Sequence, residues 1–396
     1  MKLLFPSLFL FVCLISCNSG NGVKNEAYLF ETDDTLTFQL DSNVSVYNHS
    51  VLLSEDDSGN EFISFVDGNN WSIYLYALGA DTVMKRIQYE TEGPNGVGQV
   101  FSCLYRHPDE FLLPDYQRPY ISVLNSSGEK TGSLDLTDKG ILSIHNELYN
   151  PLVFIGDKIY SVQNPRRSPS GAGLMESPTE IAINTRDLTV ETSPCLLPSK
   201  TLDLLSHSNT ADGKFIEESR CYDGKNFVYS FFGNEELIIM SPDFKKIETK
   251  LARSRYIPDG VSLDVIEDSD FSAVMRRACT GAEYGRIIYD KYRRCYYRFA
   301  YPETDLDEKE PDWHDLTQSG RDEFSIIILD EDLNVIGETM FPRDRFRSNL
   351  YFVCKDGFYI SCNHYKNPGY TDDAFQFVKF EVKKNKKRVA IHADEI

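Results

Sequence analysis

One shape recurs six times along this chain of 396 residues: an alternating apolar strand, a polar turn, then a shorter second strand. The hairpins open at Ser72, Tyr120, Ile181, Glu236, Phe324 and Phe375. Their turns fall near 79–81 and at 125–128, 184–187, 241–244, 330–333 and 383–386. The gaps between openings are 48, 61, 55, 88 and 51 residues. A further strand precedes each hairpin, at 61–66, 110–113, 158–162, 226–231, 296–300 and 357–362, and a first strand is legible at 152–155 and 350–353. Short strands in groups of four at a spacing of about 50 residues are the mark of β-propeller blades. One blade cannot bury both of its faces, so blades stack radially and the ring closes on itself. The segment 35–40, Thr-Leu-Thr-Phe-Gln-Leu, alternates and is the expected closing strand. The expected fold is therefore all-β: a six-bladed β-propeller of four-stranded antiparallel blades with a short helical insertion. A pair of β-sandwiches is the competing architecture, but no linker divides the chain near its middle.

Three segments interrupt the period. Residues 165–173 are rich in Pro, Ser and Gly and read as a loop; 264–279 reads as a helix; 302–321 is acidic. Long loops on a rigid scaffold often carry function.

The N-terminus carries a separate signal. Lys2 is followed by an almost wholly apolar stretch, 3–15, too short to span a membrane as a mature helix. It ends in Leu14-Ile15-Ser16-Cys17, which resembles the lipobox of bacterial lipoproteins. The domain expectation is a signal peptide over 1–16, a lipidated Cys17 and tether over 17–30, and a single propeller over 31–396. A diacylglycerol and an N-acyl group on Cys17 together would give stable membrane anchoring. Residue 18 is Asn rather than Asp, which favours the outer membrane, on its periplasmic or its surface face.

Composition narrows the partners. With 61 Asp and Glu against 41 Lys and Arg, the formal net charge is −20, which disfavours nucleic acid and anionic lipid surfaces. Of nine cysteines, Cys13 leaves with the signal and Cys17 is lipidated, so seven remain. An odd number leaves at least one unpaired, and several sit inside apolar runs, as buried structural thiols do.

Enzyme motifs are sparse. The segment 93–98 has three glycines but lacks the Lys-Ser/Thr of a phosphate loop, and reads as a turn. Neither Gly-x-Ser-x-Gly nor His-Glu-x-x-His occurs. The acids of 303–315 lack the ordered spacing of a calcium loop and read as a solvated loop. No metal site and no cofactor is expected. The candidate ligand-binding residues are Arg118, Arg298, His364 and Tyr365, polar groups near the ends of apolar strands that a propeller can deliver to its axis. Arg with Tyr there suits an anionic sugar, a carboxylate or a peptide. The plainer reading has the arginines capping strand edges or pairing with acids.

Taken together, the Leu14–Cys17 motif, the six hairpins, Glu92-Gly93-Pro94-Asn95-Gly96-Val97-Gly98 and Tyr292-Arg293-Arg294-Cys295-Tyr296-Tyr297-Arg298-Phe299 resemble a family of uncharacterised exported lipoproteins. That family is predicted to form six-bladed, TolB-like propellers in gut Gram-negative anaerobes. The resemblance implies fold and compartment, and no activity. The leading functional expectation is a lipid-anchored binding or scaffolding module for an envelope protein or a glycan or peptide ligand. The alternatives are a propeller enzyme, hydrolase or lyase, acting on glycans, and an accessory or sensor lipoprotein in nutrient uptake.

Overall fold

A computed structural model describes residues 26–42, 44–48, 51–141, 143–144, 146–163, 177–199, 218–261, 271–306 and 313–385. The signal peptide, Cys17 and the loop 165–173 lie outside the described residues. Among the described residues twenty-four strands form small antiparallel sheets in a propeller-like arrangement. Sheet 1 is β2 (Leu52–Glu55), β3 (Glu61–Asp67), β4 (Ser72–Ala77) and β5 (Lys85–Gln88). Sheet 2 is β6 (Leu104–His107), β7 (Glu110–Pro114), β8 (Tyr120–Leu124) and β9 (Lys130–Asp135). Sheet 3 is β10 (Val153–Ile155), β11 (Lys158–Val162), β12 (Glu180–Asn184) and β13 (Val190–Thr192). Sheet 4 is β14 (Glu218–Tyr222), β15 (Phe227–Phe231), β16 (Glu236–Met240) and β17 (Ile247–Leu251).

The remaining strands form one eight-stranded sheet, which corrects the expectation of six separate four-stranded blades. Its first half is β18 (Glu283–Asp290), β19 (Cys295–Tyr301), β20 (Ser325–Leu329) and β21 (Val335–Met340). Its second half runs β1 (Glu26–Gln39), β24 (Ala374–Asn385), β23 (Phe358–Ser361) and β22 (Tyr351–Val353). Within each half the pairing is antiparallel. The halves are joined by one parallel contact, Ala27 opposite Gly337, reinforced by Leu29 N–H donating to Thr339 Oγ1 at 2.8 Å. Gly337 is required there, because a Cβ would lie 1.8 Å from the Ala27 carbonyl oxygen. The expected closing strand exists, but it starts at Glu26, inside the segment read as tether. It pairs with β24 from Glu26–Asn385 to Gln39–Ala374, across a bulge between Glu31 and Thr35.

Side chains alternate across each strand, so the central strands, covered on both sides, read as nearly continuous apolar runs. Phe111 and Leu113 of β7 pack toward sheet 1, whereas Leu112 between them packs toward sheet 3. Phe227, Tyr229 and Phe231 of β15 face sheet 3, and Val228 faces the β18–β21 half. Six buried clusters follow among the described residues, one between each neighbouring pair of four-stranded units, with the last joining the β22–β24 half to sheet 1.

Helix α1 (Phe271–Thr280) confirms the C-terminal part of the helix read at 264–279; residues 262–270 lie outside the described set. The acidic 302–321 segment is not wholly a loop, since it contains α2 (Trp313–Ser319), which packs against α1. No disulfide joins the seven described cysteines, five of which are buried. Burial pushes the Cys103 thiol up to about 12, which makes it a packing group rather than a nucleophile.

Candidate functional site

The connections that enter the first strand of a sheet, and those joining second to third strands, share one face. On that face sheets 1, 2 and 3 and both halves of the eight-stranded sheet converge on a cavity of about 720 Å³. Its wall holds Asn48, Asp67, Asn69, Ser102, Asn146 and Asn349, and Thr317 of α2 reaches it as well. A smaller cavity of about 240 Å³ shares Arg286, Thr317 and Asn349 with it and extends toward Cys279 of α1.

Arg286 stands between the two cavities. The β18–β19 ladder shifts register between Tyr284 and Ile287, so Gly285 and Arg286 leave the regular pairing. A bulge of this kind re-aims a side chain. Gly285 permits it, because a Cβ there would meet the Tyr301 ring at 2.4 Å. The guanidinium lies over the Tyr149 ring, 4.4 Å from its centroid. Burial opposes its charge, but the Tyr351, Tyr301 and Tyr149 phenols and the Glu147 carboxylate outweigh that and keep its pKa above the ordinary arginine value. Among the described residues no carboxylate comes within ion-pair distance of it.

One hydroxyl sets this stack. Ser219 Oγ, fully buried in β14, donates to the Tyr149 carbonyl at 3.0 Å and accepts from Ile287 N–H at 3.0 Å. Arg220 N–H also donates to the Tyr149 carbonyl, at 2.9 Å. Both members of the cation–aromatic pair are thus fixed by the start of sheet 4. Asn146, only 2% exposed, accepts from Leu152 N–H through Oδ1 at 3.0 Å, while its Nδ2 makes no hydrogen bond within the protein. At the rim Phe101 and Tyr116, 55% and 60% exposed, meet edge to face at 4.9 Å.

The four residues expected to bind ligand are not gathered here. Arg118 sits in the β7–β8 loop with a side chain 55% exposed and makes a double contact with Asp115 Oδ2, at 2.7 and 3.0 Å. Arg298 of β19 is fully buried away from the cavity. It donates to Ser230 Oγ at 2.9 Å, to the Glu235 and Ala252 carbonyls at 2.8 Å each, and to the Asn234 carbonyl. Every direction of its fork is spent between sheet 4 and the eight-stranded sheet. The plainer reading, an arginine serving strand edges, describes it. His364 and Tyr365 stack on each other at 5.0 Å in the β23–β24 connection, outside the cavity wall. His364 is fully buried; its Nδ1 accepts from Lys366 N–H at 3.3 Å, and desolvation lowers its pKa to about 4. Cys17 lies outside the described residues.

Sequence reading missed Arg286, Tyr149, Asn146 and the Phe101–Tyr116 pair. A signal existed for the first: Gly285-Arg286 interrupts the apolar alternation of a strand, which is how a bulge announces itself. No group of three or more His, Cys, Asp or Glu among the described residues is placed to hold a metal ion. No helix among them is long and apolar enough to cross a membrane.

A family model described as "Domain of unknown function (DUF4221)" matches residues 27–340. The crystal structure of a DUF4221 member from Bacteroides vulgatus ATCC 8482 superposes with a TM-score of 0.78 at 24% identity, covering 91% of this chain and 100% of that one. A "Putative exported protein" of Bacteroides fragilis NCTC 9343 superposes at 0.52 with 9% identity, over 90% of this chain and 96% of that one. The "putative TolB" of Agrobacterium tumefaciens reaches only 0.35 at 8% identity, over 90% of this chain and 99% of that one, and carries no argument. No curated protein matches the chain.

Proposed function

Because this chain belongs to the DUF4221 family, a domain of unknown function, it inherits no activity, and we propose a role from its site: a binding module that engages ligand or partner through the central-cavity face. The observation that carries this is the buried Asn146 Nδ2, an unspent donor on the wall of a cavity where several sheets converge. Buried polar groups are almost always satisfied, so an orphan donor on a cavity wall is a place where a ligand gains more than it costs. In this reading the two halves of the eight-stranded sheet act as two blades, so six four-stranded units form the ring and five of them reach the cavity wall; the six inter-sheet cores support that count. The Leu14–Cys17 motif supports tethering of the module at the cell envelope by lipid on Cys17.

The test is photocrosslinking in intact cells from two positions. One replaces Tyr116 on the cavity rim; the other replaces Lys245, an exposed residue of the β16–β17 turn, as control. A reproducible adduct from position 116 that is absent from 245 supports the reading. Equal capture from both positions, or none from 116, removes it.

A further inference from the structure

We propose that the central cavity takes a sugar acid, with Arg286 reading the carboxylate, the polar wall reading the hydroxyls and the Phe101–Tyr116 pair covering one face of the ring. This rests on the binding reading above and adds the chemical class of the ligand.

Three independent features point the same way. The first is a cation on the cavity wall. Arg220, Arg298 and Arg347 are each fully buried, and each directs its fork onto protein acceptors. Arg286 instead lines a cavity and lies over the Tyr149 ring, and among the described residues no carboxylate comes within ion-pair distance of it. An arginine stacked on an aromatic ring keeps its in-plane N–H donors available, and two of them match the two oxygens of a carboxylate.

The second feature is the wall. Asn48, Asn69, Asn146, Ser102 and Asp67 supply donors and acceptors at many angles, as a polyol needs. Some are already committed: Asn48 Nδ2 donates to the Val66 carbonyl at 2.6 Å, and Asp67 Oδ1 accepts from Asn69 and Asn70 N–H at 3.0 and 3.1 Å. Asn146 Nδ2 is not, and it is a second donor for an anionic or hydroxyl oxygen. A fatty or aromatic acid would leave this wall unsatisfied. An inorganic anion would not use a cavity of about 720 Å³, a volume in the range of small-molecule sites.

The third is the rim. Large aromatic side chains rarely stay more than half exposed in pairs without a reason. Phe101 and Tyr116 do so at the mouth, where the C–H face of a pyranose would lie against them.

The experiment is calorimetric titration of the purified full-length chain in detergent with D-glucuronate and with D-glucose, which share a ring and differ at one carbon. Glucuronate is expected to bind at least tenfold more tightly, the scale of one charge-assisted pair. Arg286→Gln is expected to abolish that preference, bringing glucuronate to the affinity of glucose. Asn146→Asp retains the acceptor for Leu152 N–H but replaces the free donor with a negative oxygen, so it should also weaken glucuronate at least tenfold. It covers the case in which Arg286→Gln fails to fold, as a thermal melt would show. Tyr116→Ala should weaken both sugars alike.

Equal affinity for the two sugars, or glucuronate binding unmoved by both charge-altering variants, overturns the sugar-acid inference while the binding face stands on its crosslinks. Absence of saturable glucuronate binding overturns it too. If position 116 also yields no specific crosslink, the binding reading falls separately.

Discussion

Arg298→Met tests whether this arginine joins two sheets, as the structure places it, or serves a ligand. The side chain is fully buried and donates to one hydroxyl and three backbone carbonyls across the boundary between sheet 4 and the β18–β21 half. Its guanidinium also lies 4.0 Å from the centroid of the Tyr284 ring. Removing the donor leaves buried carbonyls with nothing to accept from, at about 1–3 kcal/mol each. Losing the cation–aromatic contact adds about 1–2 kcal/mol. Against this stands relief from burying a charge. Desolvation draws the Arg298 pKa from 12.5 down to about 10, and that shift converts to about 3 kcal/mol regained when the charge is removed. The carbonyl losses win, and the expected net cost is about 4 kcal/mol, a large share of a total stability of about 5–15 kcal/mol.

The assay is urea unfolding at pH 7, where a group titrating near 10 is fully charged in the parent. The midpoint should fall with an unchanged denaturant slope. At low urea, where the variant is folded, its affinity for glucuronate should equal that of the parent. A loss of stability below about 1 kcal/mol would refute the reasoning, because the carbonyls would then have found other partners. A selective loss of glucuronate affinity with stability intact would return Arg298 to the ligand site.

Three further outcomes follow from single contacts. Gly337→Ala drives a methyl into the Ala27 carbonyl, a backbone atom that cannot yield cheaply. It should cost about 2 kcal/mol and speed amide exchange along residues 27–31; unchanged exchange would mean that the parallel junction does not hold β1. Ser219→Ala orphans the buried Ile287 N–H and removes one of the two donors on the Tyr149 carbonyl, so stability should fall by about 1–2 kcal/mol and glucuronate affinity several-fold, with Ser219→Thr restoring both; an affinity loss without rescue by Thr would show that the hydroxyl does not set the stack. His364, facing Asp322, Lys366 and Arg347, takes up its proton near pH 6.5 when unfolded and only near 4 when folded. Its contribution is therefore complete above about pH 6.5, declines as pH falls, and has cost about 3 kcal/mol by pH 4; His364→Gln should show a shallower acid loss between pH 7 and 4.5, and identical profiles would contradict this assignment.

The fold was legible because it is written in period and spacing. The hairpins read at Ser72, Tyr120 and Glu236 begin β4, β8 and β16, and those read at 181 and 324 fall within one residue of β12 and β20; the strand read at 375 is β24, but the turn read at 383–386 is not there, since β24 runs on through Asn385 and pairs with β1. What pattern could not show is how sheets join. The contact between Ala27 and Gly337, which fuses two four-stranded units into one sheet, lies 310 residues apart in the chain and depends on a glycine with no local signature. The site was less legible for a related reason. Arg118, Arg298 and His364 were chosen by residue type and strand position, yet whether such a residue faces a cavity or a neighbouring sheet depends on inter-sheet geometry. Arg298 and Arg286 lie on adjacent strands, and only the bulge at Gly285 separates the buried one from the open one.

That pair carries the functional argument further than either residue alone. A ring of sheets needs cations at its seams, because carbonyls at strand ends come out of register where sheets of different twist abut. The chain meets this with Arg220 on the Pro151 carbonyl and Glu180, Arg298 on Asn234, Glu235 and Ala252, and Arg347 on Val46 and Gln318. Each joins segments from different sheets, or a sheet to an inserted helix, and each spends its terminal nitrogens on protein acceptors. Arg286 is only partly buried and ends on a cavity wall, fixed from behind by Ser219 and lying over Tyr149, so it is not needed at a seam. Its desolvation is outweighed by the Tyr351, Tyr301 and Tyr149 phenols together with the Glu147 carboxylate, so it stays charged on the cavity wall. The same rigid packing that seals the other three arginines therefore holds this one preorganised, so an incoming carboxylate meets an oriented fork and pays little to order it.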